Sequence, residues 1–483
     1  MNDHDVLIIG AGASGLGAAI QLTQTGVRDL VVLEKAPDLG GTWRDNTYPG
    51  CACDVPSAIY SYSFAPNPSW TRTFAPQPEI HKYLHDTAAS FGIAGKIRYG
   101  VEVVRAQWTG TRWELETTAG PYTARILLSA TGPWHQPKIP DVPGLDGFPG
   151  ETFHSARWNH DYDLSGKRIA VIGSGASAVQ FVPEIAPKVT RLHLFQRTAQ
   201  WVLPKPDLPV STVERQLLHH LPALGQAWRA VVYGATEAFG YGFRHPWLMR
   251  QVQLAGQAHL RLTVRNPTLR RALTPDHTLG CKRLLISNTY YRALTGPTVQ
   301  VHPTAVRAVD GQRLLGADGS TAEVDAIIFA TGFHILDMPV ASRLHDTDGR
   351  SLAHHWRGSP QAYLGTTVAG FPNLYLLLGP NVATGHTSVL MVLEAQLRHV
   401  VAAVTRTLRE GWTSLEVRHT AQKRFNAQVQ AALPGTVYQA GGCSSYYHDS
   451  NGRNSFIWPF STGQLRKQVG RLDIADYLVT KPS

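Results

Sequence analysis

The sequence predicts an α/β protein made of two Rossmann-like dinucleotide-binding domains, with a helical insertion in the second. Three observations carry that reading. A strand–glycine turn–helix–strand unit covers residues 6–34, a second copy covers residues 168–197, and a Leu-, Val- and Trp-rich stretch at helical spacing follows the second copy. At 483 residues the chain is too long for one ordinary core and suits two or three domains.

In the first unit the apolar strand Val6–Ile9 runs straight into Gly10-Ala-Gly12-Ala-Ser14-Gly15. Gly10 permits the tight turn, Gly12 lets backbone approach a pyrophosphate, and Gly15 lets helix and strand pack closely. The helix that follows offers its N-terminal amides and dipole to phosphate, with Ser14 in its first turn. A strand over Val27–Leu33 closes on Glu34, whose carboxylate suits ribose hydroxyls.

The second unit repeats this plan. Arg168–Ile172 precedes Gly173-Ser-Gly175-Ala-Ser177-Ala178, with Ala178 in place of the third glycine. Gly10 to Glu34 and Gly173 to Arg197 both span 24 positions, so Arg197 stands where the first unit has its acid. A guanidinium pairs with a 2′-phosphate that a carboxylate would repel, and Thr198 adds a hydroxyl donor. The second site therefore reads as NADPH/NADP+. Two such sites in one chain suggest hydride transfer from NADPH to a bound flavin, FAD, at the first.

Ile126–Pro140 and Ala326–Phe333 each hold an apolar strand that ends at Ala-Thr-Gly, where the chain turns tightly near a cofactor; Asp325 and Thr331 also read as plain strand-end residues. From Val210 to Pro275, Leu217, Leu218, Leu221, Leu224, Trp228, Val231 and Val232 keep helical spacing, broken by Pro222, Gly240, Gly242 and Pro246. The aromatic residues of this stretch are expected in the core. Gly385, ahead of a long helix from Val389, is expected to bring a helix N-terminus to the flavin ring. The expected division is 1–140 and 332–483 for the FAD domain with the C-terminal region, 141–159 for an interdomain linker, 160–209 and 277–331 for the NADPH domain, and 210–276 for the helical insertion.

Hydrophobic residues make up 43% and charged residues 17%, a globular and not a disordered composition. The net charge of +10 fits an ordinary basic surface or one that partly faces anionic dinucleotides. The densest basic stretch, Arg244–Arg283, is interleaved with apolar residues and reads as helix surface, so no nucleic acid partner is expected. The first residues lead straight into a strand and no apolar run approaches ~20 residues, so a cytoplasmic protein without a transmembrane segment is expected. Cys51, Cys53, Cys281 and Cys443 make neither a disulfide framework nor a Cys-x-x-Cys redox pair, and no metal site is expected.

Phe148-x-Gly150-x-x-x-His154-x-x-x-Trp158 resembles the fingerprint of the type I Baeyer–Villiger monooxygenases, with Asn159 where Pro or Asp usually follows. Gly40-Gly-Thr-Trp43 through Tyr48-Pro-Gly50 to Asp54, Gln196-Arg197-Thr198 and Gly280-Cys-Lys282-Arg283 with Tyr290-Tyr291 resemble further segments of that family. The tail from Gly442 to Pro459 is closest in pattern to 4-hydroxyacetophenone and related ketone monooxygenases. The resemblance covers nearly the whole chain. It implies FAD, NADPH, molecular oxygen and a ketone converted to an ester or lactone through a flavin C4a-peroxide and a tetrahedral adduct, with sulfoxidation alongside.

The resemblance also implies roles. Arg283 supplies the fixed positive charge at the reacting centre. Asp54 orients Arg283, a capped-turn carboxylate beside the flavin being the other reading. Trp43 shapes the flavin pocket. Lys282 pairs with the 2′-phosphate or faces solvent. Phe148, Gly150, His154 and Trp158 belong to a moving linker in which His154 is no chemical base and Trp158 is an anchor. The competing activity is a flavin monooxygenase that oxidises nitrogen or sulfur, and the remote one is a nonenzymatic flavin-binding redox sensor. Neither the particular ketone nor the oligomeric state is legible.

Overall fold

A computed structural model describes residues 2–482. The first unit forms β1 (Asn2–Ile9), α1 (Ala13–Gln24) and β2 (Leu30–Glu34). Then come α2 (Thr42–Asp45), α3 (Gln77–Ser90), β3 (Ile97–Tyr99), β4 (Val103–Trp108), β5 (Trp113–Thr117) and β6 (Gly120–Ser129). β1 lies parallel between β2 and β6, with Ile8 opposite both Val32 and Leu128. Both faces of this sheet are covered, which is why its central strands read as unbroken apolar runs.

The second unit contains β7 (Glu151–His154), β8 (Arg168–Ile172), α4 (Ala176–Ile185), β9 (Arg191–Phe195) and β10 (Val202–Leu203). The insertion supplies α5 (Thr212–His220), α6 (Pro222–Arg244), α7 (Pro246–Thr263) and α8 (Pro267–Ala272). β11 (Leu285–Ile286), α9 (Tyr290–Leu294), β12 (Val299–His302), β13 (Val306–Asp310), β14 (Arg313–Gly316), β15 (Thr321–Glu323) and β16 (Ala326–Phe329) complete it. Five parallel strands run in the order β12-β9-β8-β16-β7. β7 lies inside the stretch expected to be linker. Residues 151–154 are instead the edge strand of the second sheet, with Phe329 opposite His154.

The chain then returns to the first sheet, where β17 (Leu344–His345) extends β4. After α10 (Leu352–Trp356), β18 (Leu374–Leu376) pairs with the end of β6. α11 (Val389–Arg409), β19 (Ser414–Val417), α12 (His419–Ala432), α13 (Val437–Ala440), α14 (Thr462–Val469) and β20 (Tyr477–Thr480) finish the chain. The two sheets share one device. Gly10 (φ 103°) and Gly173 (φ 109°) sit against the carbonyls of Ala130 and Ala330, so each Ala-Thr-Gly turn closes on the first glycine of its own unit.

Two expectations are corrected. The insertion is helical over nearly the expected range, but Trp228, Tyr241 and Trp247 are exposed and Phe243 is buried. Helical spacing reports an apolar face and does not say what covers it. Pro222 and Pro246 start α6 and α7, whereas Gly240 and Gly242 lie within α6, and a Cβ on Gly240 would enter the His386 ring. Secondly, Cys281 and Cys443 form a disulfide across 162 positions, which spacing along the chain had no means of showing. It ties the segment before Arg283 to the C-terminal tail. Cys443→Ser is expected to cost about 2–4 kcal/mol and to lower the thermal transition measured without reductant. An unchanged transition would mean that the bond adds no stability in solution.

Candidate active site

Two clefts flank Trp43. The first, with about 1260 Å³ of free space, is lined by Gly10, Gly12, Ser14, Glu34, Trp43 and the Ala130-Thr131-Gly132 turn. Gly15 lies beneath it, where a Cβ would enter the Gly10 carbonyl. The N-cap of α1 is Gly12 and no side chain caps it, so first-turn amides remain for a ligand. Glu34 is buried. It accepts Ala11 N at 2.8 Å, Ala36 N at 2.9 Å and Arg44 Nη1 at 3.1 Å, which leaves about one acceptor direction of its carboxylate for a ribose hydroxyl. These features fit an extended anionic dinucleotide.

The second cleft lies between the two units. Asp54 and Arg283 meet in its wall. Arg283 Nε donates to Asp54 Oδ2 at 3.0 Å and Nη2 to Oδ1 at 2.7 Å, a bidentate pair spanning 229 positions. Nη1 reaches the Gly385 carbonyl at 3.4 Å. Burial works against the guanidinium charge, but the Asp54 carboxylate more than offsets it and raises the Arg283 pKa. Of five N–H donors, three are engaged and two remain for the cleft.

Trp43 contributes to both clefts and donates Nε1 to the Tyr60 hydroxyl at 3.0 Å. Leu378 and Val389 also line both, while Thr384 and Thr387 line the second, so the start of α11 does reach the site. Gly385 itself is behind the wall and acts through its carbonyl. Cys51 and Cys53 are buried, and burial pushes the Cys51 thiol up to about 12 and Cys53 in the same direction, so neither is a thiolate near neutral pH.

Ser177 lines the second cleft from the first turn of α4. A Cβ on Gly175 would meet nothing within 4 Å, as expected where backbone must leave space for a ligand, and Gly175 caps α4 without a side-chain bond. Ala178 is buried against the second core. Arg197 is exposed, and among the described residues it forms no ion pair. Burial and then the Arg197 charge lower the pKa of Lys282, so the two cations act on each other, with Thr198 following Arg197 in the chain. These residues lie outside both enclosed clefts.

Of the fingerprint residues, His154 meets Phe333 of the returning segment, while Phe148, Gly150 and Trp158 pack on residues of the second unit. Phe148 is buried and its ring covers Gly150. His154 is buried at the end of β7, where its Nδ1 accepts Ala156 N at 3.1 Å. Burial, with Arg157 adding to it, lowers its pKa to about 4, so it is neutral near pH 7. Trp158 packs edge-on to Phe153 and tilted on Phe181, each at 5.2 Å. Asn159 donates to Glu151 at 2.8 Å and accepts Asp161 N at 3.0 Å, so it closes the turn locally. One His–Asp group not foreseen from spacing stands outside both clefts: His85 Nε2 bonds Asp38 Oδ2 at 3.1 Å, and His81 Nε2, 3.3 Å from the same oxygen, bonds the Leu39 carbonyl at 3.1 Å.

Sequence reasoning missed Tyr446, Tyr447, Trp134 and Phe333 in the second cleft. It also missed Gln180, which accepts the Tyr48 hydroxyl at 2.9 Å and donates to the Ala52 carbonyl at 2.9 Å, gripping the first unit from α4. The Tyr446-Tyr447 doublet just after Cys443 was the available signal; Gln180 gave none.

Residues 7–227 match the family model described as pyridine nucleotide-disulphide oxidoreductase. A protein of Streptomyces coelicolor named Baeyer-Villiger monooxygenase is 47% identical over 482 residues, covering 99% of this chain and 93% of its own. One of Pseudomonas aeruginosa with the same name is 44% identical over 98% of this chain and 91% of its own. Among solved structures, OTEMO in complex with FAD and NADP matches with a TM-score of 0.89 at 26% identity, over 99% of both chains. An oxidized steroid monooxygenase bound to NADP matches with a TM-score of 0.87 at 28% identity over the whole of both.

Proposed function

The chain belongs to the Baeyer–Villiger monooxygenases, and from that premise we propose that Arg283, positioned by Asp54, is its catalytic cation. The enzyme is an FAD-dependent, NADPH-consuming monooxygenase that converts ketones to esters or lactones with molecular oxygen. When bound, FAD activates oxygen after NADPH has supplied two electrons. Gly10, Gly12, Ser14 and Glu34 would hold FAD along the first cleft. Gly173, Gly175, Ser177 and Ala178 would cradle the NADPH pyrophosphate, with Arg197, Thr198 and Lys282 at its 2′-phosphate.

The observation that carries this reading is the bidentate Asp54–Arg283 pair in the wall of a cleft walled by aromatic rings. A guanidinium stays charged throughout the working pH range, and its two remaining donors suit the carbonyl oxygen of a ketone. Donors aimed where negative charge develops lower the barrier most when they are already fixed, and Asp54 fixes them. Trp43, Trp134, Phe333 and Phe456 line the same space, and apolar rings disfavour water beside the reacting atoms. His154, neutral and engaged with its own backbone, takes no proton in the reaction and serves the seam between the units.

The test is aerobic turnover of NADPH over a panel of ketones and one sulfide, with product mass and hydrogen peroxide measured together. An ester or lactone is the expected product. Sulfoxide alone, with no ketone in the panel oxygenated, would overturn the Baeyer–Villiger assignment of this cleft.

A further inference from the structure

We propose that the helical insertion docks on an anionic membrane surface through the outer faces of α6 and α7. The inner side of the insertion is held by the protein. Arg229 donates to the Ser61 carbonyl at 3.0 Å and the Ala58 carbonyl at 3.1 Å. Glu237 accepts Thr462 N at 3.1 Å, and Phe243 stacks on Tyr438 at 5.4 Å.

The outer side has no such cover. Among the described residues, eleven of the sixteen exposed large apolar side chains fall within residues 208–262. Leu224, Trp228 and Val231, exposed by 43%, 51% and 60%, follow i, i+4, i+7 spacing on one face of α6. On α7, Trp247, Leu254 and Leu262 are exposed by 62%, 56% and 81%. Isolated exposed apolar residues are ordinary; a concentration on adjacent helices marks an interaction surface.

Charge selects the occupant. From Ala238 to Pro275 the sequence has six arginines and no Asp or Glu. Arg250, Arg261, Arg265 and Arg271 are exposed, and helical spacing puts Arg250 and Arg261 on the side of α7 that carries Trp247, Leu254 and Leu262. A symmetric contact with a second copy would set these arginines against their own image. A nucleic acid would pair with the arginines but leave Leu254, Leu262 and Val231 in water. An anionic lipid surface takes both sets. Phosphate headgroups pair with Arg, Trp sits at the interface, and Leu and Val enter the acyl boundary. No helix among the described residues is long and apolar enough to cross a membrane, so the insertion would lie on the surface.

The experiment is sedimentation of the FAD-loaded full-length protein with vesicles of phosphatidylcholine alone and of phosphatidylcholine mixed with phosphatidylglycerol. Binding is expected to the mixed vesicles, weak on the neutral ones and reduced by salt. Joint Arg250→Gln, Arg261→Gln and Arg265→Gln substitution is expected to lower the partition coefficient on the order of a hundredfold. Joint Trp247→Ser, Leu254→Ser and Leu262→Ser substitution is expected to remove binding, while both variants keep FAD and NADPH-dependent ketone oxidation. Equal binding to the two vesicle types, or variants that bind like the parent, would overturn the proposal. So would self-association or RNA retention abolished by the same substitutions without any vesicle binding.

Discussion

Arg283→Ala is expected to leave NADPH-driven reduction of FAD intact and to lower ester formation by on the order of 10²–10³-fold, with the consumed oxygen released as hydrogen peroxide. The two halves of the reaction are expected to separate because Arg283 stands in the cleft with Trp43 and Asp54, while Arg197 and Lys282, proposed for the 2′-phosphate, lie outside it. Rapid-mixing spectra would follow reduction, and product mass with peroxide would follow oxygen transfer. Removing the cation leaves the half-buried Asp54 carboxylate without its partner, so FAD content must be checked in the same preparation. Arg283→Lys keeps a charge but loses the fork that holds Asp54 at 3.0 and 2.7 Å, and it should recover part of the activity at most. Full ketone oxygenation by the Ala variant would remove Arg283 from the chemistry.

Arg197→Ala is expected to weaken NADPH by roughly ten- to a hundredfold and to leave NADH nearly unchanged, the loss of a charge-assisted contact to the 2′-phosphate. Lys282→Ala should act in the same direction and by less, because an ammonium is a point charge where a guanidinium gives two directed bonds. The two losses are not expected to add, since both cations act on one phosphate and Arg197 already bears on Lys282. Apparent affinities for both nucleotides, measured on both variants and the double variant, test this. An unchanged preference for NADPH over NADH in Arg197→Ala would defeat the phosphate assignment.

Both glycine turns and both sheets were legible because their signals are local. Gly10 and Gly173 need positive φ, the strands show as short apolar runs, and the replacement of Glu34 by Arg197 at the same offset shows in the chain itself. The cleft was legible less directly. Asp54 and Arg283 were named from the resemblance of their segments, whereas Tyr446, Trp134 and Gln180 reach the site from segments whose sequence gives no local sign of it. β7 was hidden inside the stretch expected to be linker because four residues at a sheet edge have too little pattern to stand out.

What the sequence determined by itself was the pair of dinucleotide folds, their order and the opposite charges of Glu34 and Arg197 at the same offset, since backbone conformation, hydrophobic period and residue charge act over a few neighbouring positions. Tertiary structure alone decided that Asp54 holds Arg283 across 229 positions, that Cys281 joins Cys443, and that the apolar faces of α6 and α7 stay uncovered. Those depend on which distant surfaces meet, and an apolar stripe or a single cysteine carries the same local signal whether a partner lies against it or not.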